Sequence, residues 1–181
     1  MSTYFITGNQ EKFNEVKRII PGIEQLELDL VEIQSDSHEE IVRHKIDEAL
    51  RQRPDLKDRI FFVEDTGFHM RALGGLPGPL IKWFVKDLGL DGLADLADKM
   101  GDDCAWAVAI FGLYDEGSIS FHEGRVDGRI VPKGGDPRFQ WDQIFIPQGY
   151  ARRFSEMSME EKNAISHRFL AADALRKHLS R

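Results

Sequence analysis

The stretch RIFFVEDTGF, Arg59–Phe68, sets four apolar residues before two adjacent acids and a Thr-Gly pair. A short apolar run rich in β-formers predicts a buried strand, here ending at Glu64 and Asp65. Successive strand side chains point to opposite faces, so the two acids are expected to do different jobs. In open α/β sheets, ligands bind beyond the carboxyl ends of the strands. A carboxylate at Asp65 can hold a divalent cation and orient or deprotonate a water. The plainer reading is a solvated strand end that caps the next turn.

On the N-terminal side, the chain begins strand, loop, helix. TYFIT (residues 3–7) is a short strand, and Gln10 to Ile20 places Phe13, Val16, Ile19 and Ile20 at helical spacing. Pro21-Gly22 ends that helix. IEQLELDLVEI (residues 23–33) alternates apolar and polar residues and is expected to be one strand. Ser37 and Glu40 form a capping-box pattern before a helix running to about Arg53. Glu32, near the predicted strand end, is a candidate second metal ligand, although a Glu on a strand usually faces water.

On the C-terminal side, two short helices are expected at Leu80–Lys86 and Asp91–Met100. Strands follow at CAWAVAIFGLY and SISFHEGRVDGRIV around an Asp-Glu-Gly turn, and another at QIFIP. Ser158 and Glu161 repeat the capping pattern, and a last helix begins near His167 with Ser166 as its cap. Ser166 and His167 are adjacent on that helix and do not face each other, which weakens a reading of them as a nucleophile with its base. The order β-α-β-α-β followed by hairpins predicts a mixed-sheet α/β protein, residues 1–181 as one domain.

Composition narrows the function. Acids outnumber Lys plus Arg, 31 against 24, for a net charge of −7, which argues against an extended nucleic-acid surface. A few focused cations can still hold one polyphosphate. No apolar run is long enough for a membrane span, no signal peptide is visible, and Cys104 is the lone cysteine; a cytoplasmic setting is expected.

Several fragments carry chemistry. TGNQEKFNE (residues 7–15) is a Gly-containing loop entering a helix, whose N–H groups and Lys12 can hold an anion; the plain alternative is a turn capped by Asn9. It is neither a Walker loop nor G-x-G-x-x-G. ALGGLPGPLIKWF leads into a helix carrying Lys82, either a rigid loop or a phosphate contact. FQWDQ places Phe139 and Trp141 beside Asp142, aromatics that can stack on a base or form a satellite core. No HExxH helix, cysteine cluster or G-x-S-x-G elbow occurs.

Taken together, TGNQEKFNE, VEDTGF, LGGLPGPLIKWF, FQWD and EKNAISHR resemble, in order and spacing, the inosine triphosphate pyrophosphatase family. The resemblance runs from Thr7 to the last helix and implies an elongated two-lobed mixed sheet with flanking helices and a nucleotide cleft between the lobes. It implies Mg²⁺-dependent hydrolysis of ITP, dITP or XTP to the monophosphate and pyrophosphate, with Mn²⁺ as a substitute metal. Thr7, Gly8, Asn9 and Lys12 match the triphosphate loop. Glu32 and Asp65 match the metal carboxylates, Asp65 also as base, with Thr66 beside it and Lys12 assisting catalysis. Lys45 and Lys82 match substrate-contacting lysines. Phe139, Gln140, Trp141 and Asp142 match the base-pocket loop, with Gln140 standing where the family has glycine. Lys162, His167 and Arg168 match nucleotide-binding residues. Arg168, which has donors only, suits the 6-oxygen of hypoxanthine or xanthine over the amino group of adenine. The family is usually homodimeric. Two alternatives stay open: a Maf-like pyrophosphatase for other modified or pyrimidine nucleotides, and a non-catalytic nucleotide-binding protein.

Overall fold

A computed structural model describes residues 2–136 and 140–180. Phe139 therefore lies outside the described residues. The strands are β1 (Thr3–Ile6), β2 (Glu24–Leu26), β3 (Ile60–Met70), β4 (Pro77–Gly78), β5 (Cys104–Asp115), β6 (Ser118–Ile130) and β7 (Phe145–Pro147). They form one sheet in the order β2-β1-β3-β5-β6-β7, with β4 paired to β3. β1 runs parallel to both β2 and β3, whereas β3–β4 and β6–β7 are antiparallel, so the sheet is mixed. The helices are α1 (Gln10–Ile19), α2 (His38–Gln52), α3 (Ile81–Met100), α4 (Met159–Asn163) and α5 (His167–Leu179). Among the described residues, no helix is long and apolar enough to cross a membrane.

Two compact bodies share these elements: residues 1–66, 109–124 and 167–181, and residues 67–108 and 125–166. The first has a core on each face of its strands. On one face, Phe5, Phe62 and Phe111 pack with Val16 of α1 and Ala171 and Leu175 of α5. The stacked rings of Phe5 and Phe62 are 4.7 Å apart. On the other face, Phe61, Val63 and Ile110 pack with Val42, Ile46 and Ala49 of α2. The even residues of β3 thus face α1 and α5, and the odd ones face α2, as strand alternation requires. In the second body, α3 and the loops around β7 cover Phe68, Met70, Ala105, Ala107 and Phe145.

Two expectations change, and a third is met in a kinked element. β3 does not end at the two acids; it continues to Met70 because β4 supplies a partner, pairing Phe68 with Gly78 and His69 with Pro77. The predicted strand over residues 23–33 is cut to Glu24–Leu26, since β1 offers partners only to Ile6. Leu28 and Leu30 still pack on the α2 cluster without a ladder. The two short helices expected at Leu80–Lys86 and Asp91–Met100 are both present, as the two arms of α3 on either side of the non-helical Gly89 (φ 70°, ψ 173°).

The cap patterns have a similar outcome. At α4, Ser158 and Glu161 satisfy each other's backbone N–H groups in a full capping box. At α2, Ser37 Oγ accepts from Glu40 N at 3.3 Å, but the Glu40 carboxylate instead accepts from Ser35 Oγ at 2.7 Å. Ser35 Oγ also accepts from Ser37 N at 3.0 Å, which fixes the entry to α2.

Candidate active site

The alternation of β3 sends Glu64 and Asp65 into two separate charged clusters of the first body. Asp65, on the α2 face, has His38 Nδ1 at 2.6 Å from Oδ2 and Lys45 Nζ at 3.5 Å from Oδ1. Lys45 is buried, donates to the Glu64 carbonyl oxygen at 3.0 Å and lies 2.8 Å from Glu32 Oε1. One ammonium thus gathers Glu32 and Asp65, the two carboxylates expected to hold a metal. Glu32 is 54% exposed at its side chain and Asp65 12%, so the pair opens to solvent on the Glu32 side.

Glu64, on the opposite face, is fully enclosed. Its Oε1 accepts from Arg168 Nε at 2.7 Å and from Thr66 Oγ1 at 3.0 Å. Lys12 Nζ lies 2.9 Å from Oε2 as an ion pair, although the contact does not have hydrogen-bond alignment. Arg168 reaches further, to Glu15 Oε2 at 2.6 Å. Burial alone would raise the Glu64 pKa, but Arg168 and Lys12 more than reverse this and hold the carboxyl well below its usual range. Burial likewise works against the charged Arg168, and Glu64 and Glu15 overcome it, raising its pKa.

This cluster refines the expected roles. Lys12 and Arg168 are not isolated cations facing a ligand; acids hold both in place. Arg168 is only 12% exposed, with Nε and Nη1 engaged, so it acts here as a counter-ion for Glu64 and Glu15. Glu64 itself was not singled out as a site residue by the sequence. The signal available was its place next to Asp65 on the strand, which fixes the face it takes and not its partners.

The loop before α1 is capped in the plain manner: Asn9 Oδ1 accepts from Lys12 N at 3.0 Å, and Thr7 Oγ1 accepts from Asn9 N at 3.1 Å. Gly8 has no atom within 4 Å of where a Cβ would stand. α5 enters the first body in tight contact with β6. A Cβ on Gly124 would lie 2.1 Å from the His167 carbonyl oxygen and 2.4 Å from Ala171 N. Both are backbone atoms, so the whole first turn, which carries the buried His167 and the half-buried Arg168, would have to move. Gly124→Ala is expected to cost about 2 kcal/mol or more by overpacking. Thermal unfolding checks this; an unchanged midpoint would mean that the helix does not need this close approach.

The second body holds the remaining candidates. Lys162 and Asp142 form a buried ion pair. Trp141 packs on Phe68 (4.9 Å between ring centroids) and on Phe145 (6.1 Å), as a satellite core would. Gln140 is exposed, and its carbonyl oxygen accepts from Gln143 Nε2 at 3.0 Å. Lys82 is exposed at the start of α3, with its ammonium 5.5 Å from the Trp83 ring centroid.

The chain is 44% identical to the inosine triphosphate pyrophosphatase of Neurospora crassa, covering 96% of this chain and 90% of the relative. It is 39% identical to that of Schizosaccharomyces pombe, covering 98% and 95%. Among solved structures, the Ham1 protein of Staphylococcus aureus aligns with a TM-score of 0.82 at 25% identity over 99% of this chain and 98% of its own. The model of the Ham1 family matches residues 3–178, and the chain belongs to that family.

Proposed function

We infer that the chain is a nucleoside triphosphate pyrophosphatase that hydrolyses deaminated purine nucleotides, ITP, dITP and XTP, to the monophosphate and pyrophosphate. The observation that carries this reading is the convergence of Glu32 and Asp65 on the Lys45 ammonium. The full-length likeness to inosine triphosphate pyrophosphatases supports it.

The donor set fits a hard divalent cation, because Glu32 and Asp65 both offer carboxylate oxygens. Glu32 and Asp65 would hold Mg²⁺, with Mn²⁺ as a substitute. When bound, the cation neutralises phosphate charge. Hydrolysis breaks the bond between the α-phosphorus and the bridging oxygen, and water supplies the new oxygen on the monophosphate. Asp65 aligns that water and takes its proton. Lys45, and Lys12 through the loop of Thr7, Gly8 and Asn9, offset the charge that grows on the departing pyrophosphate. Lys82, Gln140, Trp141, Asp142, Lys162 and His167 are assigned to nucleotide binding, as is Thr66 beside Asp65. Arg168 has donors only, and the donor capacity beyond its pairs with Glu64 and Glu15 favours 6-keto purines, because a buried donor left facing the adenine amino group costs about 1–3 kcal/mol. We further propose a cytoplasmic homodimer, which light scattering would test.

The experiment is release of pyrophosphate from ITP with and without Mg²⁺, followed by XTP, GTP and ATP. Release from ITP and XTP at least about tenfold faster than from ATP is expected. Equal rates on all four nucleotides, or orthophosphate as the product, would overturn the reading.

A further inference from the structure

The sequence placed a metal and a water at Asp65 but assigned nothing to His38. Its position is constrained from two sides. It is the first residue of α2, where Ser35, Ser37 and Glu40 lock the helix entry. Its side chain is 12% exposed, and Nδ1 lies 2.6 Å from Asp65 Oδ2. An ionised carboxylate only accepts, so with Asp65 charged the ring donates through Nδ1–H.

Lys45 stands seven residues further along the same helix, about two turns, and so on the same face. It addresses the other oxygen, Oδ1, at 3.5 Å. One helix face therefore holds Asp65 at both oxygens: a rigid ring donor on one and a cation on the other. A carboxylate with one partner can still rotate about χ2; one held on both oxygens cannot do so without breaking a contact.

We propose that His38 is a positioning residue for Asp65. It fixes the carboxylate so that Oδ1 is the oxygen presented to the divalent cation and the attacking water. This rests on Asp65 being the metal-binding and base residue. Ligand-orienting hydrogen bonds of this kind typically change metal affinity or activity by about 10–100-fold when removed. His38 touches neither the water nor the phosphate in this role, so its effect falls on cation binding and kcat rather than on KM for ITP.

The test compares His38→Ala, His38→Asn and Asp65→Asn in the full chain. Mn²⁺ binding without nucleotide is read by electron paramagnetic resonance, and kcat and KM for ITP are read with Mg²⁺. His38→Ala is expected to weaken Mn²⁺ binding and lower kcat, each by about tenfold or more, with KM nearly unchanged. His38→Asn, whose amide N–H stands near the place of Nδ1, is expected to recover most of both. Wild-type Mn²⁺ binding and kcat in His38→Ala, alongside loss of both in Asp65→Asn, would overturn the role of His38 and leave that of Asp65 standing. Wild-type behaviour in Asp65→Asn would overturn both. Equal losses in folded His38→Ala and His38→Asn would also overturn the proposal, since the donor would then not be what matters. Should His38→Ala fail to fold, the His38→Asn comparison with wild type decides: retention of both readouts supports the role, and their loss overturns it.

Discussion

Asp65→Asn is expected to lower kcat for ITP by about 10²–10⁴-fold, the range that a positioned general base contributes. The replacement is nearly isosteric, so the packing of Phe61 and Val63 on α2 should persist. What changes is charge and proton affinity. An amide is a poor base, and its NH₂ group must face either the Lys45 ammonium or the His38 ring, both of which approach a carboxylate oxygen in the native arrangement. Steady-state kinetics together with circular dichroism check the prediction. Full turnover in a folded variant would remove Asp65 from the chemistry.

Glu64→Gln is expected to act on stability first. The residue is buried between Lys12 and Arg168, with Glu15 as the second acid of the cluster. Removing one carboxylate leaves two cations to share one buried counter-charge. Breaking a buried pair in this way costs about 3–5 kcal/mol. For a chain of this size that is a fall of roughly 10 °C in the unfolding midpoint. Differential scanning calorimetry of the variant decides it; a midpoint within about 2 °C of wild type would show that Lys12 and Arg168 are satisfied without Glu64.

Much of this arrangement was legible in the sequence for local reasons. The helical spacing of Phe13 and Val16 gave α1, and Asn9 marked its cap. The apolar run at Phe61–Val63 gave β3, and alternation separated the two acids that follow. The gaps have long-range causes. Strand ends depend on the partner strand, which is why β2 is short and β3 long. The contact between Glu64 and Arg168 joins residues 104 positions apart, and that between His38 and Asp65 spans 27. No local pattern announces either. Trp141, open between a base-stacking and a packing role from sequence, proved to lie on Phe68 and Phe145.

The alternation along β3 also limits how this strand can vary. Side-chain identity there can drift, but length cannot. Inserting or deleting one residue between the Phe61–Phe62 pairing with β1 and Glu64 would swap the sides taken by the two acids. Lys12 of α1 and Arg168 of α5 would then meet the residue meant for solvent and metal, while α2 would meet the other. Homologous exchange or library design across this segment should therefore preserve its frame residue for residue and place any length change before Ile60.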